Sequence, residues 1–290
     1  MTSLLAQVSG RIFYYIGVLT QDQNERALKD YNTFLTIRSA IEPRLGKLKE
    51  KAILDVGCGR RYPHALLLNS LGNMVVGIDT DYIGCEDSSV ERYSNELTQN
   101  GAVAFIRALL FDLLKQKEAY NRALQQLCDF ALSYQGIVFK RMSAVDMAFS
   151  DEAFDLVVSI LVFEHIADVS KALSEINRVL KRGGFAFIKV HLFTSKGGGH
   201  QLGKEFFGVP PWDHLRQNKF PAPVYLNRLR KDEWLRLFSE QLEVLEVLSE
   251  TDRKAEGSLT AEILSELSDY TKDELVTSTI TVVAKKRSAQ

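Results

Sequence analysis

The spacing of apolar and polar positions changes character near residue 50. Residues 1–50 are patterned as helices, with a helical stretch from Asn24 to Leu48 that Pro43 is expected to break. The apolar runs then shorten and turn residues bound them. Ala52-Ile-Leu-Asp-Val56 runs into Gly57-Cys58-Gly59, and Met74-Val-Val-Gly-Ile78 runs into Asp79. Both read as buried strands, joined by a helix from Ala65 to Leu71 that Gly72 closes. A mostly helical insert from about Ser88 to Ser133 exceeds what a crossover requires. Strands at Gly136–Lys140 and Phe154–Ser159 follow. Helical spacing then recurs at Ala172, Leu173, Ile176, Val179 and Leu180, with Gly183-Gly184 expected to stop that helix. Phe185–Val190 is a fifth strand.

Residues 191–225 break the pattern, with Gly197–Gly199, four prolines and three histidines, and read as a loop. A helix at Lys231–Glu240, a strand at Leu242–Leu248, a helix at Thr260–Ser268 and a last strand at Thr277–Ala284 complete the chain. Strands alternating with helices predict an α/β fold, a mainly parallel sheet covered on both faces. The two closing strands, joined by a helix, fit an antiparallel edge insertion. Ligands in such sheets bind beyond the C-terminal strand ends. Gly57–Gly59, Asp79, Ser143–Val145 and Ile160–His165 therefore share one rim.

Composition narrows the function classes. Of 290 residues, 46% are hydrophobic and 25% charged, a soluble globular mix with enough apolar residues for a large core. Lys+Arg 36 against Asp+Glu 37 leaves a net charge of −1, so no overall basic field favours nucleic acid or an anionic membrane. The paired basic residues at 140–141, 181–182 and 286–287 are scattered, with no basic stripe interleaved with aromatics. Three cysteines, Cys58, Cys85 and Cys128, are too few for a disulfide framework and suit a reducing compartment. The apolar residues 1–20 are interrupted by Arg11 and lack a cleavage signal, so the expectation is a cytoplasmic protein without a membrane anchor.

A strand–Gly-x-Gly turn with an acid twenty residues later fits a nucleoside site, the acid accepting both ribose hydroxyls. The dinucleotide fingerprint would want a further glycine at position 62, which is Tyr. Ile53–Gly59, Val76–Asp79, Ser143–Phe149 with Ser150–Asp155, and Glu175–Gly184 occur in the order seen in the class I S-adenosylmethionine-dependent methyltransferases. Over about residues 50–190 the chain resembles their small-molecule branch, the type 11 or ubiquinone/menaquinone-biosynthesis-like group. The resemblance implies a Rossmann-like seven-stranded sheet, mostly parallel with an antiparallel last strand. A helical cap over 1–50 would precede a methyltransferase domain over 51–290.

It further implies S-adenosylmethionine as cofactor, S-adenosylhomocysteine as product, and a cofactor site drawn from Asp55, Gly57, Cys58, Gly59, Arg60, Asp79, Thr80, Ser143, Ala144, Val145 and Ile160. Arg60-Arg61 stands where a third glycine is common, and either arginine pairs the methionine carboxylate or is a solvated charge. Ser143 replaces the usual acid of the adenine loop, so the contact to the exocyclic amine falls to that hydroxyl or to Asp146.

Hydroxyl methylation needs a base, and histidine suits that task. His165, just past the fourth strand, and His200 and His214 in the loop are the catalytic candidates; His191, Trp212 and Arg216 are candidates for holding the acceptor. Glu164-His165 resembles part of the Glu-x-x-Glu-His metal site of ubiquinone-pathway and small-RNA methyltransferases, but Leu161 replaces its first acid. A divalent metal is therefore not favoured on this basis. The expected acceptor is a small molecule such as a glycoside, polyketide or quinone precursor, methylated on oxygen. N- or C-methylation, and a methyltransferase fold used only for binding, are the alternatives.

Overall fold

The computed structural model describes residues 22–81, 83, 89–201, 208–219, 222 and 224–287. The readings placed on residues 1–21 and on Cys85 lie outside these residues. Seven strands form one sheet in the order β3-β2-β1-β4-β5-β7-β6. They are β1 (Ala52–Val56), β2 (Met74–Asp79), β3 (Val138–Arg141), β4 (Phe154–Ile160), β5 (Leu180–His191), β6 (Glu243–Thr251) and β7 (Thr277–Lys285). The first five pair in parallel, whereas β7 inserts antiparallel between β5 and β6, as the two closing strands predicted.

Helices α1 (Gln23–Leu45), α2 (Pro63–Ser70), α3 (Ser89–Asn100), α4 (Ala102–Leu113), α5 (Gln116–Leu127), α6 (Val169–Val179), α7 (Lys231–Gln241), α8 (Arg253–Glu256), α9 (Ala261–Glu266) and α10 (Lys272–Val276) connect and flank the strands. No helix among the described residues is long and apolar enough to cross a membrane. One sheet face buries Ile53, Leu156, Phe185 and Phe187 against Phe34, Ile37 and Ile41 of α1 and Leu66 and Leu67 of α2. The other buries Leu54, Val157, Ala186 and Ile188 against Ala172, Leu173, Ile176 and Val179 of α6 and Trp234 and Phe238 of α7. This alternation along each strand is the pleat's period of two. The stripe on α6 is the one read from the sequence.

Two boundaries differ from expectation. Pro43 lies inside the last turn of α1, and the helix ends only at Gly46, whose φ of 79° is left-handed. Likewise α6 stops at Val179, before Gly183-Gly184, and Leu180 already pairs with Phe154 of β4. Between the last helices, Trp212 (1% exposed) packs with Ala255, Ile263, Leu267 and Leu275 in a third apolar cluster. An indole so deeply seated among aliphatic side chains holds the loop down.

Candidate active site

The turn after β1 is built by its neighbours. The amides of Gly57 and Cys58 both donate to the Ile78 carbonyl (2.8 and 3.1 Å), and the Gly59 amide donates to Asp79 Oδ2 (2.9 Å). Gly57 and Gly59 have φ of 71° and 65°. A Cβ at Gly57 would lie 2.3 Å from Val162 Cγ2, whereas one at Gly59 would meet nothing within 4 Å. The first glycine therefore admits the segment after β4, and the second opens beside Asp79. That carboxylate also accepts from the Asp81 amide (2.9 Å), which fixes both its oxygens at the rim.

Several expected cofactor contacts have other occupations. Asp55 is 2% exposed and its Oδ2 accepts the Ala65 amide (3.1 Å), tying β1 to the start of α2. Burial pushes its carboxyl up to about 7. Arg60 is engaged by Glu96 (2.9 Å) and Asp81 (3.4 Å), and Arg61 lies over the Tyr120 ring. Cys58 is buried with its Sγ facing Gly77, where a Cβ would come within 2.9 Å of it. Thr80 is exposed, its carbonyl accepting from Arg141 Nε (2.9 Å). Tyr62, at the place of the missing glycine, has left-handed backbone (φ 38°) and its ring packs on Phe139 at 4.5 Å.

The loop carrying Ser143, Ala144 and Val145 is held from below by α6. Glu175 Oε2 accepts the Met147 amide (2.8 Å), while Arg178 donates to the carbonyls of Met147 and Phe149 (both 2.7 Å). Arg178 also pairs with Glu175, which drives the Glu175 carboxyl down to about 2. Within the loop, the Val145 amide donates to Ser143 Oγ (3.4 Å). Sequence reading quoted Glu175 and Arg178 only as part of a helix; their task emerges from contacts about 30 residues apart.

Beyond β4, Ile160 ends the strand and Leu161 turns with φ 58°, its amide donating to the Lys189 carbonyl (2.8 Å). A short 3-10 turn, Phe163–His165, follows and is clamped by Asn227, which donates to the carbonyls of Phe163 (2.8 Å) and Glu164 (3.0 Å). His165 Nδ1 lies 2.9 Å from the Tyr225 carbonyl. A carbonyl can only accept, so Nδ1 carries the hydrogen and Nε2 of the neutral ring keeps its lone pair.

Three of the expected histidines converge here. The His165 and His200 rings are 4.9 Å apart edge to face, and His191 Nδ1 lies 2.9 Å from His200 Nε2. Ser195 Oγ lies 3.2 Å from His191 Nε2. Glu164 is 3% exposed, and burial raises its carboxyl to about 8. His214 is set apart: its Nε2 donates to the Phe193 carbonyl (2.7 Å) and its ring packs on Phe193, so it anchors the loop. Arg216, expected to meet the acceptor, is gripped by both carboxylate oxygens of Glu266. Sequence reading passes over Ser195 and weighs Glu164 only as part of an incomplete metal motif.

Residues 90–188 match the family model described as "Methyltransferase domain". The match begins beyond the glycine turn and Asp79. No curated protein matches the sequence. Among solved structures, a candidate S-adenosylmethionine-dependent methyltransferase from Listeria monocytogenes is 13% identical, with 91% of this chain and 99% of that one covered and a TM-score of 0.51. The methyltransferase in a complex with the Trm112 activator of Haloferax volcanii is 16% identical over 93% and 97% of the two chains, at a TM-score of 0.46. A geranyl diphosphate C-methyltransferase from Streptomyces coelicolor is 14% identical over 87% and 79%, at 0.47. The protein thus has the class I methyltransferase fold, and its residues 90–188 are similar to the methyltransferase-domain family.

Proposed function

We propose that the protein transfers the methyl group of S-adenosylmethionine to a hydroxyl oxygen of a small molecule. The observation that carries this reading is the Gly57–Gly59 turn, open at Gly59 beside Asp79 and abutting the histidine-bearing turn after β4 through Val162. In this arrangement the Asp79 carboxylate accepts the ribose hydroxyls, and the backbone of Ala144 and Val145 meets the adenine edge. Bound there, S-adenosylmethionine would supply its methyl group near the end of β4. Methyl transfer is an in-line displacement, so positioning and exclusion of water supply much of the rate. His165 is the proposed base: its Nε2 lone pair takes the hydroxyl proton, the oxygen attacks the methyl carbon, and the C–S bond electrons return to sulfur, giving S-adenosylhomocysteine. Residues of the insert 88–133 and the loop 191–225 border the acceptor, which is a medium-sized metabolite.

The test is calorimetric titration with S-adenosylhomocysteine beside an Asp79→Ala control, followed by a labelled-methyl screen of hydroxylated metabolites. Micromolar binding lost in the variant supports the cofactor assignment. Absence of binding to the unaltered protein overturns the enzyme reading, and exclusive labelling of nitrogen or carbon acceptors overturns the choice of oxygen.

A further inference from the structure

We propose that Glu164, His191 and His200 form a binding site for a divalent first-row transition cation. One ligand atom from each lies within 4.8 Å of the others. The three come from different elements, namely the turn after β4, the end of β5 and the glycine-rich turn beyond it. Two imidazoles and one carboxylate suit Zn²⁺, Mn²⁺ or Fe²⁺ and leave positions open for an oxygen ligand. Ligand atoms across a six-coordinate cation stand roughly 4.2 Å apart at bond lengths of about 2.1 Å. A side-chain adjustment of under about 1 Å in the glutamate closes the remainder.

The carboxylate itself points to a cation. Glu164 is 3% exposed, and among the described residues only the backbone amides of Glu164 and His191 approach its carboxylate, with no cationic side chain paired to it. A buried carboxylate with no compensating positive charge is costly, and such groups are ordinarily paired or bound to metal. The His191 Nδ1 and His200 Nε2 beside it lie 2.9 Å apart, a contact that at most one hydrogen can occupy. A cation among the three accepts lone pairs from all of them.

The surroundings orient these ligands. Ser195 Oγ engages His191 Nε2, turning Nδ1 inward, as outer partners do for metal-bound histidines. His200 is carried to the site by a turn packed too closely at Gly198 and Gly199 to admit a side chain. A Cβ at Gly198 would lie 2.3 Å from the Leu192 carbonyl oxygen, and one at Gly199 would lie 2.5 Å from the His214 ring. His200 itself has φ of 46°, a conformation costing about 1–2 kcal/mol for a residue with a side chain. Such strain concentrates at functional sites. His165 is not part of the set, because the ligand atoms that lie within 4.8 Å of one another are those of Glu164, His191 and His200.

The cation site stands without the methyltransferase reading; its service to an acceptor oxygen rests on that reading. The experiment titrates the full chain, stripped with chelator, with Co²⁺ and follows visible d–d absorption. Saturation at one equivalent, reversed by Zn²⁺, is expected. Glu164→Gln and His200→Ala each lose about tenfold or more in affinity, and His165→Ala retains wild-type binding within about twofold. Thermal melting and S-adenosylhomocysteine binding establish that each variant is folded, and His200→Ala carries the test if Glu164→Gln does not fold. No saturable Co²⁺ binding, or equal binding by the folded variants, overturns the proposal. Cofactor binding without Co²⁺ binding removes only the metal site, and Co²⁺ binding without cofactor binding removes only the proposed reaction.

Discussion

Substituting alanine at the two turn glycines separates packing from ligand space. Both have left-handed backbone, at φ of 71° for Gly57 and 65° for Gly59, so each alanine costs about 1–2 kcal/mol of conformational strain. At Gly57 the added carbon would also stand 2.3 and 2.5 Å from the two γ-carbons of Val162. Carbon contacts settle near 3.5–4.0 Å, and forced overpacking costs about 1–3 kcal/mol more. Gly57→Ala is therefore expected to lose about 2–5 kcal/mol, a melting shift of roughly 5–15 °C, and Gly59→Ala only a few degrees. The added methyl at Gly59 occupies the space beside Asp79, so this variant loses most affinity for S-adenosylhomocysteine while remaining folded. Adding Val162→Ala to Gly57→Ala removes the two nearest contacts and returns part of the lost stability, a non-additive gain that double-mutant analysis detects. Calorimetric melting with ligand titration reads both quantities. Equal melting of the two glycine variants, or no recovery with Val162→Ala, would refute the reasoning.

Other substitutions probe the rest of the site. Asp79→Asn keeps the fold but weakens S-adenosylhomocysteine by about 2 kcal/mol, near thirtyfold, as charged hydrogen bonds to the ribose become neutral; titration giving unchanged affinity would exclude the carboxylate from the site. Arg178→Ala frees the 142–149 loop from four acceptors, the Met147 and Phe149 carbonyls and the carboxylates of Glu175 and Asp151, and hydrogen exchange should rise there first. Uniform exchange across the domain would argue against that clamp. Burial, helped by Lys189, depresses the His64 imidazole to about 4. The unfolded chain then takes up a proton below about 6.5 that the folded one refuses, so stability falls between pH 6.5 and 4 by up to about 3 kcal/mol. Asp55, raised to about 7, acts in the opposite sense over part of that range. The informative quantity is thus the difference between His64→Gln and wild type in denaturant unfolding at pH 7 and 4.5, and an identical acid loss in both would contradict it.

Local pattern alone determined the strands, the inward stripe of α6 and the antiparallel insertion of β7. These follow from periods of 2 and 3.6 and from turn residues, which act over a few neighbouring positions. What each polar side chain does was decided by partners distant in sequence. Arg60 meets Glu96, Arg216 meets Glu266, and Trp212 sinks into a cluster with Leu267 and Leu275. The same four histidines that stand in line along the chain divide in space, with His165, His191 and His200 around Glu164 and His214 holding the loop. No periodicity encodes that division. It depends on the crossing of β4 beside β5 and on the fold of the Ser195–His200 turn, so charge pairing and burial at the site are properties of the tertiary structure.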